Sequence, residues 1–338
     1  GQTMFKNAAA ILIAAKNGGP NKLAQPKRTS EYDVLLVKRK SGSGFMPNNY
    51  VFPGGILDNY DYHKKWASIL TQHNVNWKLQ AHKNGANILS TCPDGVLARL
   101  AIRIAAIRET FEETGFLICR GCTNNICDAD VDYWQKAVSE NANKFLEFCE
   151  TYKVCPDVTS IYEWSNWITP AAYSSRRYDT IFFLHCSLSK PKIKVDGNEV
   201  TEHQWLTPCN LPSDIMNMAP PQLYEISRLM NFSCVGRLVN YAYERETRGV
   251  ERWLPVVFKA RDGVITVLPG DELYPDNPES YKKPKILLNN MTNYRFSGAI
   301  MNRVERGLNG SYNVVCNITL DFGQVKPVNN KSYNLHLS

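Results

Sequence analysis

The nonapeptide RETFEETGF, residues 108 to 116, gathers three carboxylates, Glu109, Glu112 and Glu113, just before Gly115. On a helix, side chains three and four apart share a face, so these acids crowd one small region. Gly115 is a natural left-handed stop, which puts them in the last helical turn, where the macrodipole already disfavours anions. Each of these penalties is about 0.3 to 1 kcal/mol at an exposed site, and their signs agree. A compensating cation is required. Arg108 neutralises part of the charge, but one guanidinium does not satisfy three carboxylates, and clustered hard oxygens are what Mg2+ or Mn2+ prefers. The competing reading is a solvated acidic helix end.

The elements around this peptide are legible from their patterns. Upstream, Leu97, Leu100, Ile104, Ile107 and Phe111 recur at the spacing of a buried helical face, which leaves the glutamates on other faces. TCPD (91–94) reads as the start of that helix, with Thr91 as N-cap. AAAILIAA (8–15) and Val34–Val37 read as buried strands, and NNYVFPGGILD (48–58) as a short strand bent sharply at Pro53, Gly54 and Gly55. Residues 60–90 suggest an inserted helical layer, FLIC (116–119) a strand, and 131–152 one amphipathic helix. SNWITP, YDTIFFLHCSL and EHQWLTP follow as strands or strand ends rich in aromatic and β-branched residues. PPQLYEISRLMNF opens a helix with proline, and the chain beyond residue 251 reads as a strand-rich extension.

A chain of 338 residues with 43% apolar and 21% charged residues is globular in composition. Lys and Arg outnumber Asp and Glu by 39 to 32, a surplus of +7 spread without long basic runs, which suits anionic ligands without indicating nucleic acid. No apolar run approaches the roughly 20 residues of a membrane helix, so no membrane partner is expected. The ten cysteines are scattered, which favours a reducing compartment. CRGC (119–122) has zinc-like spacing, but no second Cys or His pair completes a ligand set.

The charged residues fall into a known pattern. The Nudix hydrolases carry the box G-x5-E-x7-R-E-U-x-E-E-x-G-U, where U is bulky and apolar, and this sequence resembles it in two halves. Gly55 opens the box and Asp61 stands at the first acid; RETFEETGF supplies Arg108, Glu109, Glu112, Glu113, Gly115 and Phe116. Three departures stand out: Asp for Glu at 61, Thr110 at the first U, and residues 62–107 interposed between the halves. That interruption, together with RKSGSGFMPNNYVFPGGILDNYD, WITPAAYSSRRYDTIFFL and RWLPVVFKARDGVITVLPGDELYP, resembles the nucleoside diphosphate-linked moiety X motif 19 branch of the superfamily.

The resemblance implies an α/β/α Nudix sandwich with a mixed sheet, spanning residues 5–235 and interrupted by a helical insertion at 62–100. A C-terminal extension, 236–338, would pack on it. It implies Glu109, Glu112 and Glu113 as metal ligands, helped by the Gly54 carbonyl and by an acid from a late loop, Glu199 ahead of Glu202, with Mg2+ or Mn2+ as cofactor. Arg108 would orient a helix carboxylate through a bidentate pair. Lys38, Arg39, Lys40, Arg176 and Arg177 would meet the phosphates of the substrate, which the branch implies is coenzyme A or acyl-coenzyme A. The alternatives are a diphosphatase for ADP-ribose, dinucleotides or capped RNA, and a nucleotide-binding module without catalysis. Peroxisomal placement is implied by the branch alone, with a cytoplasmic location as the alternative, because the closing residues NLHLS lack an S-K-L-like tripeptide.

Overall fold

A computed structural model describes residues 5–18, 30–44, 46–78, 95–173, 176–211 and 218–328. The first strand, β1 (Lys6–Lys16), is buried along almost its whole length, as its unbroken apolar run requires. It is followed by β2 (Tyr32–Arg39), β3 (Tyr50–Val51) and β4 (Gly54–Ile56). A 3-10 turn at Asn59–Tyr62 leads into α1 (Lys65–Gln72) and then the long α2 (Gly95–Thr114). The next elements are β5 (Cys119–Arg120), α3 (Asp128–Glu140), α4 (Asn143–Tyr152), β6 (Cys155–Pro156), β7 (Ile161–Ile168), β8 (Tyr178–Ser187) and β9 (Val200–Leu206). The chain continues through α5 (Pro220–Leu229), α6 (Val235–Glu246), β10 (Arg252–Trp253), β11 (Val256–Ala260), β12 (Gly263–Val267), β13 (Lys285–Ile286), β14 (Asn302–Gly307) and β15 (Tyr312–Cys316).

The main sheet runs β10-β7-β8-β1-β2-β3, with β4 joined to β1 and β9 to β2. It is mixed: β1 lies parallel to β8 and antiparallel to β2 and β4. Strand alternation assigns its two faces. Ile11, Ile13, Leu35 and Phe183 pack with Ile104, Ile107 and Phe111 of α2 and Phe145 and Phe148 of α4. Leu12, Ala14, Val34, Leu36 and Leu184 pack on the other side with Leu223 and Ile226 of α5 and Leu238 of α6. The result is three layers, α/β/α. A second sheet, β13-β11-β12-β14-β15, closes over its own small core of Val256, Phe258, Ile265 and Val267.

Several local expectations change. The single helix expected over 131–152 is two, because Asn141 turns extended between α3 and α4. FLIC is mostly irregular, and only Cys119 enters a strand, the two-residue β5 paired with β6. The inserted layer contains the 3-10 turn and α1; residues 79–94, including the expected cap at Thr91, lie outside the described residues. Because α6 packs on the main sheet and β10 pairs in it, we place the start of the extension at β11 rather than at residue 236.

Candidate active site

A long helix and a short strand create the site. α2 delivers Arg108, Glu109, Glu112 and Glu113 in its last turns, and β4 presses a pair of glycines against them. β4 needs glycine for a steric reason. A Cβ on Gly54 would sit 2.2 Å from the Ala9 carbonyl oxygen and 2.5 Å from Ala10 Cα on β1, and one on Gly55 would sit 2.4 Å from the Glu109 carboxylate. A side chain at Gly54 would force β4 away from β1, and one at Gly55 would displace the Glu109 carboxylate. Gly115, at φ +68°, ends the helix as its type predicts.

Arg108 is the hub. Its Nε and Nη2 donate to the two oxygens of Asp61 at 2.9 Å each, and Nη2 also donates to the Ile56 carbonyl at 3.0 Å. Nη1 donates to Glu109 at 2.8 Å and to Glu112 at 2.7 Å. All five guanidinium N–H groups are thereby spent on a planar fork that lysine has no means to copy. Asp61 is buried, and its second oxygen also accepts from the Asp58 amide at 2.8 Å. It braces the arginine from the first half of the box, so the interruption at 62–107 leaves the two halves in contact.

Glu113 is only 2% exposed. One of its oxygens accepts from the Gly54 amide at 3.0 Å, while Oε1 is buried with no hydrogen-bond donor among the described residues. Burial is the main force on all three glutamates and raises their pKa values. Glu109 is pushed up to about 8 against the opposing pull of Arg108, Glu112 is raised against the same pull, and Glu113 is raised well above the usual range with Glu109 adding repulsion. Burial works against the Arg108 charge too, but its acidic neighbours prevail and raise it.

The last turn of α2 is tied to the loop before β9. Lys194 N donates to the Thr114 carbonyl at 2.7 Å and Asp196 N to that of Glu113 at 3.3 Å, while Gln135 from α3 donates to the carbonyls of Glu112 and Lys194. These bonds satisfy carbonyls that the helix end leaves open. They also hold Glu199 beside the cluster, where its negative charge helps raise all three glutamates. The Glu199 carbonyl accepts from the Lys40 amide at 2.9 Å, so the basic exit of β2 joins the same assembly, and the Arg39 charge acts on Glu113. Sequence reasoning missed Gln135, Lys194 and Asp196; their contribution is backbone capping across distant segments, which no local motif marks.

The phosphate-binding candidates separate. Arg176 is exposed and reaches the loop after β2, its Nη1 lying 2.9 Å from where a Cβ on Gly44 would stand. Arg177 turns away: it is 3% exposed, donates to the Thr169 carbonyl, pairs with Glu279 at 2.8 Å and covers the Phe5 ring. Its expected contact with substrate is replaced by a structural pairing. Lys38 is paired with Glu202 at 3.1 Å, and Lys40 is exposed. Trp167 is buried in the core, whereas Tyr173 stays exposed. The CRGC cysteines do not form a metal set: among the described residues no three Cys, His, Asp or Glu side chains form a ready-made cation cage, and burial pushes the Cys119 thiol up to about 12.

The same test applies to a divalent cation at the glutamates, whose oxygens likewise do not converge into a finished cage, because Arg108 holds one oxygen each of Glu109 and Glu112. The donor chemistry nevertheless fits. Three buried carboxylates, of Asp61, Glu109 and Glu112, share one guanidinium, and the Oε1 of buried Glu113 has no donor to meet among the described residues. Excess buried negative charge on hard oxygens is a demand for a hard cation.

A three-layer sandwich that brings Arg108, Glu109, Glu112 and Glu113 beneath a glycine strand is the arrangement of a Nudix domain. The NUDT19 Nudix domain model matches residues 5–229 and the NUDT19 C-terminal domain model matches residues 257–317, and the chain belongs to this NUDT19 family. Among its relatives, acyl-coenzyme A diphosphatase NUDT19 of Xenopus laevis is 32% identical over 96% of both chains. That of Gallus gallus is 31% identical over 98% of both, and that of Homo sapiens 32% identical over 81% of both. A solved Nudix hydrolase from Alicyclobacillus acidocaldarius, 19% identical, covers 70% of this chain with all of its own at a TM-score of 0.48.

Proposed function

We propose that this chain is a diphosphatase that cleaves coenzyme A or acyl-coenzyme A into 3',5'-ADP and (acyl-)phosphopantetheine, using Mg2+ or Mn2+. The observation that carries this reading is the buried, under-neutralised glutamate cluster at the end of α2, in a chain whose relatives over almost its full length bear the name acyl-coenzyme A diphosphatase. In the reaction a water oxygen bonds to one phosphorus and the bridging P–O bond breaks, so each product leaves with a phosphate. A bound divalent ion supplies charge neutralisation of the diphosphate and a lowered pKa for the water.

The chain's own residues do the rest. Glu109, Glu112, Glu113, Glu199 and the Gly54 carbonyl are the groups we assign to hold the cation. Arg108 and Asp61 fix the orientation of the helix glutamates through the five-bond fork. One of the glutamates receives the proton of the water. Arg39, Lys40 and Arg176 stand at the mouth and suit the diphosphate or the 3'-phosphate. Lys38 already faces Glu202, so its assignment to substrate requires that pair to open. Arg177 is left out of this set because its charge is spent on Glu279.

The purified chain, incubated with Mg2+ or Mn2+ and a panel of coenzyme A, acyl-coenzyme A, ADP-ribose, dinucleotides and capped RNA, should release 3',5'-ADP and phosphopantetheine species, read by mass. Turnover confined to the other diphosphates would move the activity to that class; no turnover of any would leave a binding module. No helix among the described residues is long and apolar enough to cross a membrane. Peroxisomal residence belongs to the same reading, and imaging of the tagged chain against a peroxisomal marker checks it.

A further inference from the structure

Away from the glutamates, three buried polar atoms belong to residues that line one cavity and find no partner in hydrogen-bonding geometry among the described residues: Arg228 Nε, Arg245 Nε and Ser165 Oγ. The cavity lies where β7, α5, α6, β10 and residues 320–324 meet, and its room is about 20 Å³. We propose that it binds a single small monovalent inorganic anion of the size of chloride.

Other donors of the two arginines are bonded elsewhere. Arg228 Nη1 goes to the two oxygens of Glu225, which also accept the indole N–H groups of Trp164 and Trp167, so that carboxylate is saturated. Arg245 gives Nη1 to the Gly249 carbonyl and Nη2 to those of Glu163 and Trp164. The arginines are 1% and 2% exposed, so bulk water does not serve them. Two of the three orphan atoms are N–H groups that only donate, and a hydroxyl turns to donate as well. A water accepts about two hydrogen bonds and must place its own protons, whereas an anion accepts from all three directions.

Size and charge point the same way. A volume near 20 Å³ has room for a particle of the size of one water. With Glu225 spent on Arg228, Arg245 has no paired carboxylate; burial, with Arg228 adding repulsion, pushes its pKa down to about 10, a sign of unmet positive charge. The competing counter-charges are the cavity's own acids. Asp321 is exposed at the rim, and Glu251 is half-buried, its carboxyl raised by burial against the pull of its hydrogen bond from the Trp253 indole. The wall beside them is held in an uncommon conformation, with Phe322 at φ +55° and Gly323 at φ +66°.

Crystals of the full chain soaked in sodium bromide should give an anomalous peak within hydrogen-bond reach of Arg228 Nε and Arg245 Nε. In solution, melting temperature should rise saturably with chloride or bromide relative to gluconate at equal ionic strength. Ser165→Ala, which removes one donor and no existing bond, should raise the halide midpoint several-fold while retaining the fold. A water at the position, the Glu251 carboxylate turned into it, identical melting in chloride and gluconate, or a Ser165→Ala midpoint equal to that of the parent would each overturn the assignment.

Discussion

At the scale of single residues, the site is a set of charges that only one another's presence makes tolerable. Glu113 has one oxygen tied to Gly54 and one without a donor. Glu113→Gln should therefore act in opposite directions on function and stability. Turnover should fall about 100-fold or more, since an oxygen we assign to the cation, and its charge, are lost. In EDTA the same variant should unfold at equal or higher urea, by roughly 1 kcal/mol, because a buried acid without compensation has been neutralised. Paired activity and urea measurements decide it, and an active but destabilised variant would contradict the assignment. Arg108→Lys should behave differently. A lysine keeps the charge but not the five-bond fork, so both activity and stability should drop, the latter by about 3 kcal/mol as buried acids lose partners. At this scale the sequence was informative, since Arg108, Asp61 and the glutamates are identifiable by type and spacing. Arg176 and Arg177 mark the limit: identical neighbours, one exposed and one buried against Glu279, separated by a contact with a distant segment.

At the scale of elements, α2 ends in buried acids and β4 lies against them, and both facts make testable demands. The raised pKa of Glu109, about 8 against an ordinary 4.5, means that the folded chain without metal holds protons more tightly than the unfolded chain. That contribution to stability is full below about pH 4.5 and is lost as pH rises through about 8. Urea midpoints in EDTA should consequently decline from about pH 5.5 to 8.5, and Mn2+ should restore more stability at the upper end than at the lower. A midpoint independent of both pH and metal would remove the cation from the helix end. β4 makes a steric demand. Gly54→Ala drives a Cβ into the β1 backbone and should destabilise by about 2 kcal/mol or more, whereas the Gly55→Ala methyl meets a side chain that swings aside, so activity should suffer more than stability. The helix, its glycine stop and the strand core were legible because their periods are strong. The break at Asn141 and the capping loop at 194–196 were not, because both are set by what packs on them rather than by local pattern.

At the scale of the whole molecule, the extension beyond β10 does more than cover the sheet. Arg177 is fixed by Thr169 on one side, by Phe5 beneath and by Glu279 from the extension, and the residue before it, Arg176, faces the loop after β2. The second sheet's segment thus sets where a candidate phosphate-binding arginine can stand, without itself approaching the glutamates. Glu279 is 44% exposed, so the pair contributes only about 1 kcal/mol to stability. Its larger effect is positional. With Glu279→Ala, Arg177 loses its carboxylate, the loop carrying Arg176 gains freedom, and ordering that loop must be accomplished on each binding event. The expected kinetic result is a KM several-fold higher with kcat nearly unchanged, since neither Arg108 nor the helix glutamates are touched. Arg176→Ala should raise KM similarly, and the double variant should be no worse than the worse single one, because both changes act through the same arm. Steady-state kinetics on the four proteins completes the cycle; effects on kcat, or strict additivity of the two changes, would separate the extension from substrate binding.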